Sequence, residues 1–83
     1  MTEREDIRGI ALPFLEAWRL YCLLTQRQLA EKSGVSRSTI AAAERGARVR
    51  VATIDKLAHA LALPPSTLAH SPPPPHGPLP GQT

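Results

Sequence analysis

Four arginines lie close together in the middle of the 83-residue chain. Arg37, Arg45, Arg48 and Arg50 fall within fourteen residues, and Glu44 is the only acid among them. A guanidinium carries five N–H donors in a planar fork that matches the oxygens of a phosphate or carboxylate group. A local basic stretch of this kind indicates a polyanionic partner, whereas an ordinary solvated face is the alternative interpretation.

Other kinds of chemistry find little support in the sequence. The single cysteine, Cys22, excludes an internal disulfide, and His59, His70 and His76 are scattered without metal-ligand spacing. The chain has no glycine-rich phosphate loop, and its serines have no histidine and acid arranged around them. We therefore predict no catalytic residues, no metal, no cofactor and no enzymatic activity.

The apolar runs are short and are interrupted by charges or prolines, so we predict no membrane span. Acidic residues (Glu3, Glu5 and Asp6) stand where a secretory leader is positively charged. A lone cysteine fits a reducing compartment. These features predict a cytoplasmic protein.

Hydrophobic periodicity and capping signals predict five short helices and no strand. We place them at residues 13–23, 26–33, 36–45 and 52–61, followed by one last turn that carries Leu68. Thr25 and Gln28 form a capping-box pattern, Ser36 caps the third helix, and Gly34 permits the turn between the second and third. Pro64 and Pro65 are expected to end the fourth helix, with Ser66 capping the last turn. The predicted fold class is a compact all-α bundle.

Three segments are expected along the chain: a polar N-terminal segment at 1–11, a helical domain at 12–70 and a proline-rich tail at 71–83. The tail contains six prolines, no charge and one large apolar residue, Leu79. Such a composition favours an extended, mobile chain that is dispensable for folding.

The segment LTQRQLAEKSGVSRSTIAAAERG has the pattern of two helices joined by a sharp turn. The small side chain of Ala30 lets the second helix approach the first closely, and Gly34 permits the turn. Apolar residues, namely Leu29, Val35 and Ile40, anchor both helices on a core. This pattern indicates a helix-turn-helix.

On these residues the chain resembles the Cro/C1-type, or Xre-like, helix-turn-helix family of bacterial and phage regulators. The resemblance covers residues 15–68 and includes an LTQ-x-x-LA start, a GVS-x-x-TI turn and an ERG end. It implies a lambda-repressor-like DNA-binding domain whose recognition helix is residues 36–45. Two departures are Leu23, where the family usually has glycine, and the alanine run at 41–43. Because Leu23 stands where the family usually has glycine, the turn after the first helix is expected to be built differently from the turn usual in the family.

The resemblance also assigns roles to individual residues. The expected base contacts come from the recognition helix: Arg37, Ser38, Ala41 and Ala42. Arginine pairs with guanine, whereas the alanines contact thymine methyl groups or serve only as helix formers. The expected phosphate contacts are Gln26, Ser36, Thr39, Arg45, Arg48 and Arg50. Arg19 and Glu44 are expected to form an ion pair between the first helix and the recognition helix.

The resulting hypothesis is a regulator that binds a palindromic double-stranded operator as a homodimer, most simply a repressor that occupies a promoter. One alternative is an antitoxin-type or mobile-element accessory regulator that binds a partner protein as well as DNA. Another is a protein-interaction module without DNA binding that uses PPPPHGPLP as a polyproline ligand. A bacterial or phage origin follows from the resemblance.

Overall fold

The computed structural model describes residues 9–75, in which five short helices and one two-stranded sheet are present. The helices are α1 (Leu15–Tyr21), α2 (Gln26–Ser33), α3 (Arg37–Glu44), α4 (Val51–Ala60) and α5 (Pro65–His70). The predicted bundle of about five helices is thus confirmed. The expectations for residues 1–8 and 76–83 lie outside the described residues.

The sheet corrects the prediction that the chain has no strand. Strand β1 (Ile10–Ala11) pairs antiparallel with β2 (Arg48–Val49), so that Ile10 faces Val49. Two-residue strands are too short to show the alternation that identifies a strand in a sequence. Gly9 has φ 68°, and a Cβ there would overlap the carbonyl of Val49. A residue with a side chain therefore does not fit at position 9, directly before β1.

The helices enclose one apolar core that α1, α2, α3 and α4 all reach. Its buried members are Leu12, Leu15, Trp18, Leu29, Val35, Ile40, Ala43, Val49, Ile54, Leu57, Ala58, Ala60, Leu61 and Leu68. Ile54, Leu57 and Ala58 of α4 and its C-cap Leu61 are all buried, as expected for the apolar stripe of one helix face. Full burial of a leucine or isoleucine side chain stabilises the fold by about 1.5–3 kcal/mol.

Local capping positions the two helices of the helix-turn-helix. The Thr25 hydroxyl accepts a hydrogen bond from the Gln28 N–H, and the Gln28 side chain accepts one from the Thr25 N–H. Gly34 ends α2 with φ 80°, a conformation that glycine adopts without strain. The Ser36 hydroxyl accepts from the Thr39 N–H and starts α3. All three sequence signals are confirmed.

The start of α5 differs from the prediction. Pro65 occupies its first position and Pro64 stands at the N-cap without a side-chain cap, whereas Ser66 lies inside the helix. Proline is tolerated at the first helical position because the N–H that it lacks would have no partner in the helix. The second proline therefore begins this helix.

The first residue of the predicted tail is bonded to α1. The indole Nε1–H of Trp18 donates to the carbonyl oxygen of Ser71 at 2.7 Å. The next four residues, Pro72 to Pro75, line an apolar groove together with Ala17, Leu20 and Tyr21. The expectation that all of residues 71–83 are dispensable therefore needs revision at Ser71.

Across residues 9–75, none of the helices has both the length and the apolarity that a membrane crossing requires.

Candidate nucleic-acid interface

One face of α3 is open to solvent while the opposite face is buried. Arg37 and Ser38 are exposed, and Ala41 and Ala42 are half-buried. Because side chains four positions apart lie on the same side of a helix, these residues form one outward surface. Ile40 and Ala43 lie on the other side and are buried in the core. All four residues predicted to contact bases therefore share the face of α3 that a ligand can reach.

The hydroxyl groups at the start of α3 are already partly engaged. Ser36 caps the helix and donates its hydroxyl hydrogen to the Thr39 hydroxyl oxygen at 2.8 Å. The hydroxyl hydrogen of Thr39 is then left for an acceptor outside the protein. Of these two predicted phosphate contacts, Thr39 is the better hydrogen-bond donor to a phosphate, because the hydroxyl hydrogen of Ser36 is already used.

The predicted pair of Arg19 and Glu44 connects α1 to the C-terminal end of α3. Arg19 Nε donates to Glu44 Oε2 at 2.6 Å, and Arg19 Nη2 donates to Oε1 at 3.1 Å. The two side chains are only 10% and 5% exposed, respectively. The hydrogen bond to Glu44 raises the pKa of Arg19, and burial opposes this shift. The bidentate geometry fixes the angle between the two helices.

Gln26, a predicted phosphate contact, belongs to the same network. Its Nε2 donates to Glu44 Oε1 at 2.9 Å. Because a carboxylate only accepts hydrogen bonds, the nitrogen of the amide must face Glu44. One N–H of Gln26 is therefore used inside the protein and the second is left over. Glu44 thus holds both the core arginine and the first residue of α2.

The remaining predicted phosphate contacts follow α3 along the chain and are all exposed. Arg45 is the C-cap of α3, Arg48 lies in β2, and Arg50 is the N-cap of α4. The one acid in this segment, Glu44, is buried against Arg19 and does not offset their charge at the surface. The segment consequently presents exposed positive charge after the C-terminal end of α3.

A family model described as helix-turn-helix, of the Cro/C1 type, matches residues 15–68. That range runs from the first residue of α1 to Leu68 in α5 and covers more than half of the chain. The chain belongs to the Cro/C1-type helix-turn-helix family. Neither the curated proteins nor the solved structures that were compared with the chain gave a match.

Membership identifies the domain as that of a DNA-binding helix-turn-helix regulator with double-stranded DNA as its partner. The family is regulatory and not typically enzymatic. Residues 9–75 contain no group of three or more metal-binding side chains that would hold an ion.

The turn before α2 is where the sequence departs from the usual family glycine. Leu23 adopts φ 61°, the left-handed conformation that glycine takes most easily, and its side chain is 80% exposed. Arg19 Nη1 donates to the Leu24 carbonyl at 2.8 Å and holds the next residue in place. The turn thus keeps a backbone suited to glycine, at a strain cost of about 1–2 kcal/mol for a residue with a side chain.

One cationic residue at this surface was missed by sequence reasoning. Arg27 is exposed in the first turn of α2 and lines an open notch of about 590 Å³ with Arg19, Thr25, Gln26 and Arg37. The sequence signal that could have identified Arg27 was its position directly after Gln26, on the outer side of a helix that starts at a capping box. The notch joins the start of α2 to the start of α3.

Proposed function

We propose that the protein is a sequence-specific transcriptional regulator that represses by occupying its operator. The observation that carries this proposal is the outward face of α3, where Arg37, Ser38, Ala41 and Ala42 are accessible beside exposed arginines. A helix presented in this way fits the major groove of double-stranded DNA.

In the proposed complex the N-terminal half of α3 reads the bases. Arg37 donates to O6 and N7 of a guanine, and Ser38 bonds to a neighbouring base edge. Ala41 and Ala42 have no polar group to offer and contact thymine methyl groups. Their small size also allows the helix to lie deep in the groove.

Phosphate contacts supply most of the affinity in this proposal. Gln26, Ser36 and Thr39 lie at the starts of α2 and α3, whereas Arg45, Arg48 and Arg50 follow the recognition helix. Contacts to phosphates fix the position of a protein on the duplex without reading its sequence. With few polar base contacts available on α3, they contribute a large share of the binding free energy.

A homodimer on a palindromic operator completes the proposal. Two recognition helices related by a two-fold axis reach successive major grooves when they lie about 34 Å apart. The expected operator therefore has two half-sites whose centres are about one helical turn apart.

Two experiments test this function. The first selects the sequences that the protein binds from a random pool of duplexes, and the second measures the affinity of alanine variants for the selected operator. Arg37→Ala should lose about 1–3 kcal/mol at one base position and become indifferent to the base there. Arg48→Ala should weaken all duplexes equally and reduce the salt slope of log K by about one. Failure of the pool to yield any preferred sequence would contradict the proposal.

A second candidate function is favoured by apolar side chains on the surface. Leu20 and Leu23 are 54% and 80% exposed, and Leu20 borders the groove that Pro72 to Pro75 line. Such a surface suits an antitoxin-type regulator that holds a partner protein as well as DNA. A toxin gene next to this one, whose product co-purifies with the chain but not with a Leu20→Lys/Leu23→Lys variant, would support it.

A further inference from the structure

We propose that α1 carries a polyproline-binding site and that two copies of the chain exchange the proline strap, residues 71–75, through it. In the single chain the strap lies beside its own α1. In the exchanged pair each strap binds α1 of the other copy, so that the two domains are joined. The inference rests on the proposed function for the homodimer, and it names the contact that holds the two copies together.

The sequence of the strap dictates a stiff, extended backbone. A residue that precedes a proline is restricted to extended conformations, and this applies to Ser71 and to the first three prolines. Ser71 has φ −129° and ψ 136°, and residues 71–74 belong to no helix, strand or turn. Such a segment is a polyproline II rod, which loses little conformational entropy when it binds.

The outer side of α1 offers the groups that bind such a rod. Proline has no N–H, so the strap presents carbonyl oxygens as acceptors, and the indole N–H of Trp18 donates to the Ser71 carbonyl at 2.7 Å. The Tyr21 ring stands edge-on to the Trp18 indole, with ring centroids 5.3 Å apart and an angle of 78° between the planes. Aromatic grooves of this kind recognise proline-rich segments. Leu20 and Ala17 complete the α1 side of the groove, whose volume is about 410 Å³.

Neither side of this contact carries a charge. The residues that line the groove are Ala17, Leu20, Tyr21 and the four prolines, and the strap adds only Ser71. The contact is therefore insensitive to ionic strength, unlike contacts between arginines and phosphates, which weaken as salt is added. Salt thus separates binding of the strap from binding of DNA.

The strap can leave its own α1 without disturbing the core. None of its residues belongs to the buried core, and Pro73 is half-buried while the other four are exposed. It joins the domain directly after His70, the last residue of α5. Exchange between two copies remakes the same contacts, so it costs little free energy. Two copies on the half-sites of one operator are also held at a high effective concentration, which favours the exchange.

Two full-length variants test the exchange, because each can bind only the other. The site variant, Trp18→Phe/Leu20→Lys, keeps the strap but loses the indole donor and gains a charge in the groove. The strap variant has glycine in place of all four prolines and keeps the site. Trp18 is the only tryptophan of the chain, so the tryptophan fluorescence of the mixture comes from the strap variant alone.

Adding the site variant should change the tryptophan fluorescence of the strap variant to saturation, and sedimentation should show a 1:1 complex in low and high salt alike. The matched control is a chain that carries both sets of substitutions. It should bind at least about tenfold more weakly, since it offers no preformed strap. Circular dichroism checks that each chain is folded, and Pro73→Gly alone serves as the strap variant if the fourfold substitution unfolds the protein.

An unchanged fluorescence, or an equal change with the control, would mean that the strap binds only its own α1 and would overturn the inference. Leu20→Lys alone, at a position that is 54% exposed, supplies a second measurement. Wild type should sediment as a dimer and Leu20→Lys mostly as a monomer. A Leu20→Lys dimer as tight as wild type would overturn the exchange and leave the proposed function intact. Strap exchange without duplex binding would instead overturn the proposed function.

Discussion

Replacing Glu44 by alanine should remove a large part of the domain's stability, because this carboxylate is the shared partner of two side chains. Glu44 accepts two hydrogen bonds from Arg19 and one from Gln26, and its side chain is 5% exposed. Its loss leaves a guanidinium that is 10% exposed without its counter-ion. Water cannot fully replace the carboxylate at that depth.

The expected cost follows from the burial of this pair. Removing one partner of a buried ion pair costs on the order of 3–5 kcal/mol. Arg19 keeps its bond to the Leu24 carbonyl, so we expect the lower end of that range. A chain of this length has a total stability of roughly 4–12 kcal/mol. Glu44→Ala should therefore remove between about a quarter and three quarters of the total stability.

Urea unfolding of four proteins measures the coupling: wild type, Glu44→Ala, Arg19→Met and the double variant. The double variant should be more stable than the sum of the single effects implies, by about 2 kcal/mol. Glu16→Ala is the matched control, since Glu16 also lies near Arg19, at 4.0 Å, but is 59% exposed. It should cost less than about 1 kcal/mol.

Two outcomes would refute this reasoning. A coupling energy below about 0.5 kcal/mol would mean that the two residues act independently despite their geometry. An equal loss for Glu16→Ala and Glu44→Ala would mean that burial does not decide the cost. The raised pKa of Arg19 also means that its guanidinium stays charged at neutral and mildly alkaline pH, so its contribution to stability should not change as the pH rises through that range.

Two further predictions concern the turn before α2 and the start of the tail. Leu23→Gly should raise the free energy of unfolding by up to about 1 kcal/mol, because glycine relieves the strain of φ 61°. The control, Leu20→Gly, lies inside α1 and should lower the free energy of unfolding by about the same amount. A lower free energy of unfolding in both variants would contradict the strain at Leu23. Deleting residues 71–83 should cost about 1–3 kcal/mol, because the buried Trp18 N–H loses the Ser71 carbonyl. A chain ending at Pro75 should keep that bond, so equal melting temperatures for the two truncations would count against it.

Much of the fold could be predicted because its signals are local. Thr25, Gln28, Gly34 and Ser36 specify helix ends within four residues of themselves, and the structure contains each of these caps. The buried stripe of α4 follows from a spacing that only a helix satisfies. The family resemblance then indicated which of these helices is expected to be the recognition helix.

The features that were missed depend on contacts between distant residues. Pairing of Ile10 with Val49 spans most of the domain and leaves no periodic pattern in either segment. The bond from Trp18 to Ser71 uses a backbone carbonyl, which any residue would provide. The notch that Arg27 and Arg37 line forms only when folding brings the starts of α2 and α3 together.

A substitution of Ala42, on the outward face of α3, tests most directly the central claim that this face enters the major groove. Ala42→Glu places one negative charge on the face that is proposed to enter the major groove. Binding to the selected operator, measured by fluorescence anisotropy, should be abolished while circular dichroism shows a folded protein. Ser66→Glu adds the same charge on the exposed start of α5 and should bind like wild type. A folded Ala42→Glu protein that binds the operator normally would contradict the account, because α3 then does not face the DNA.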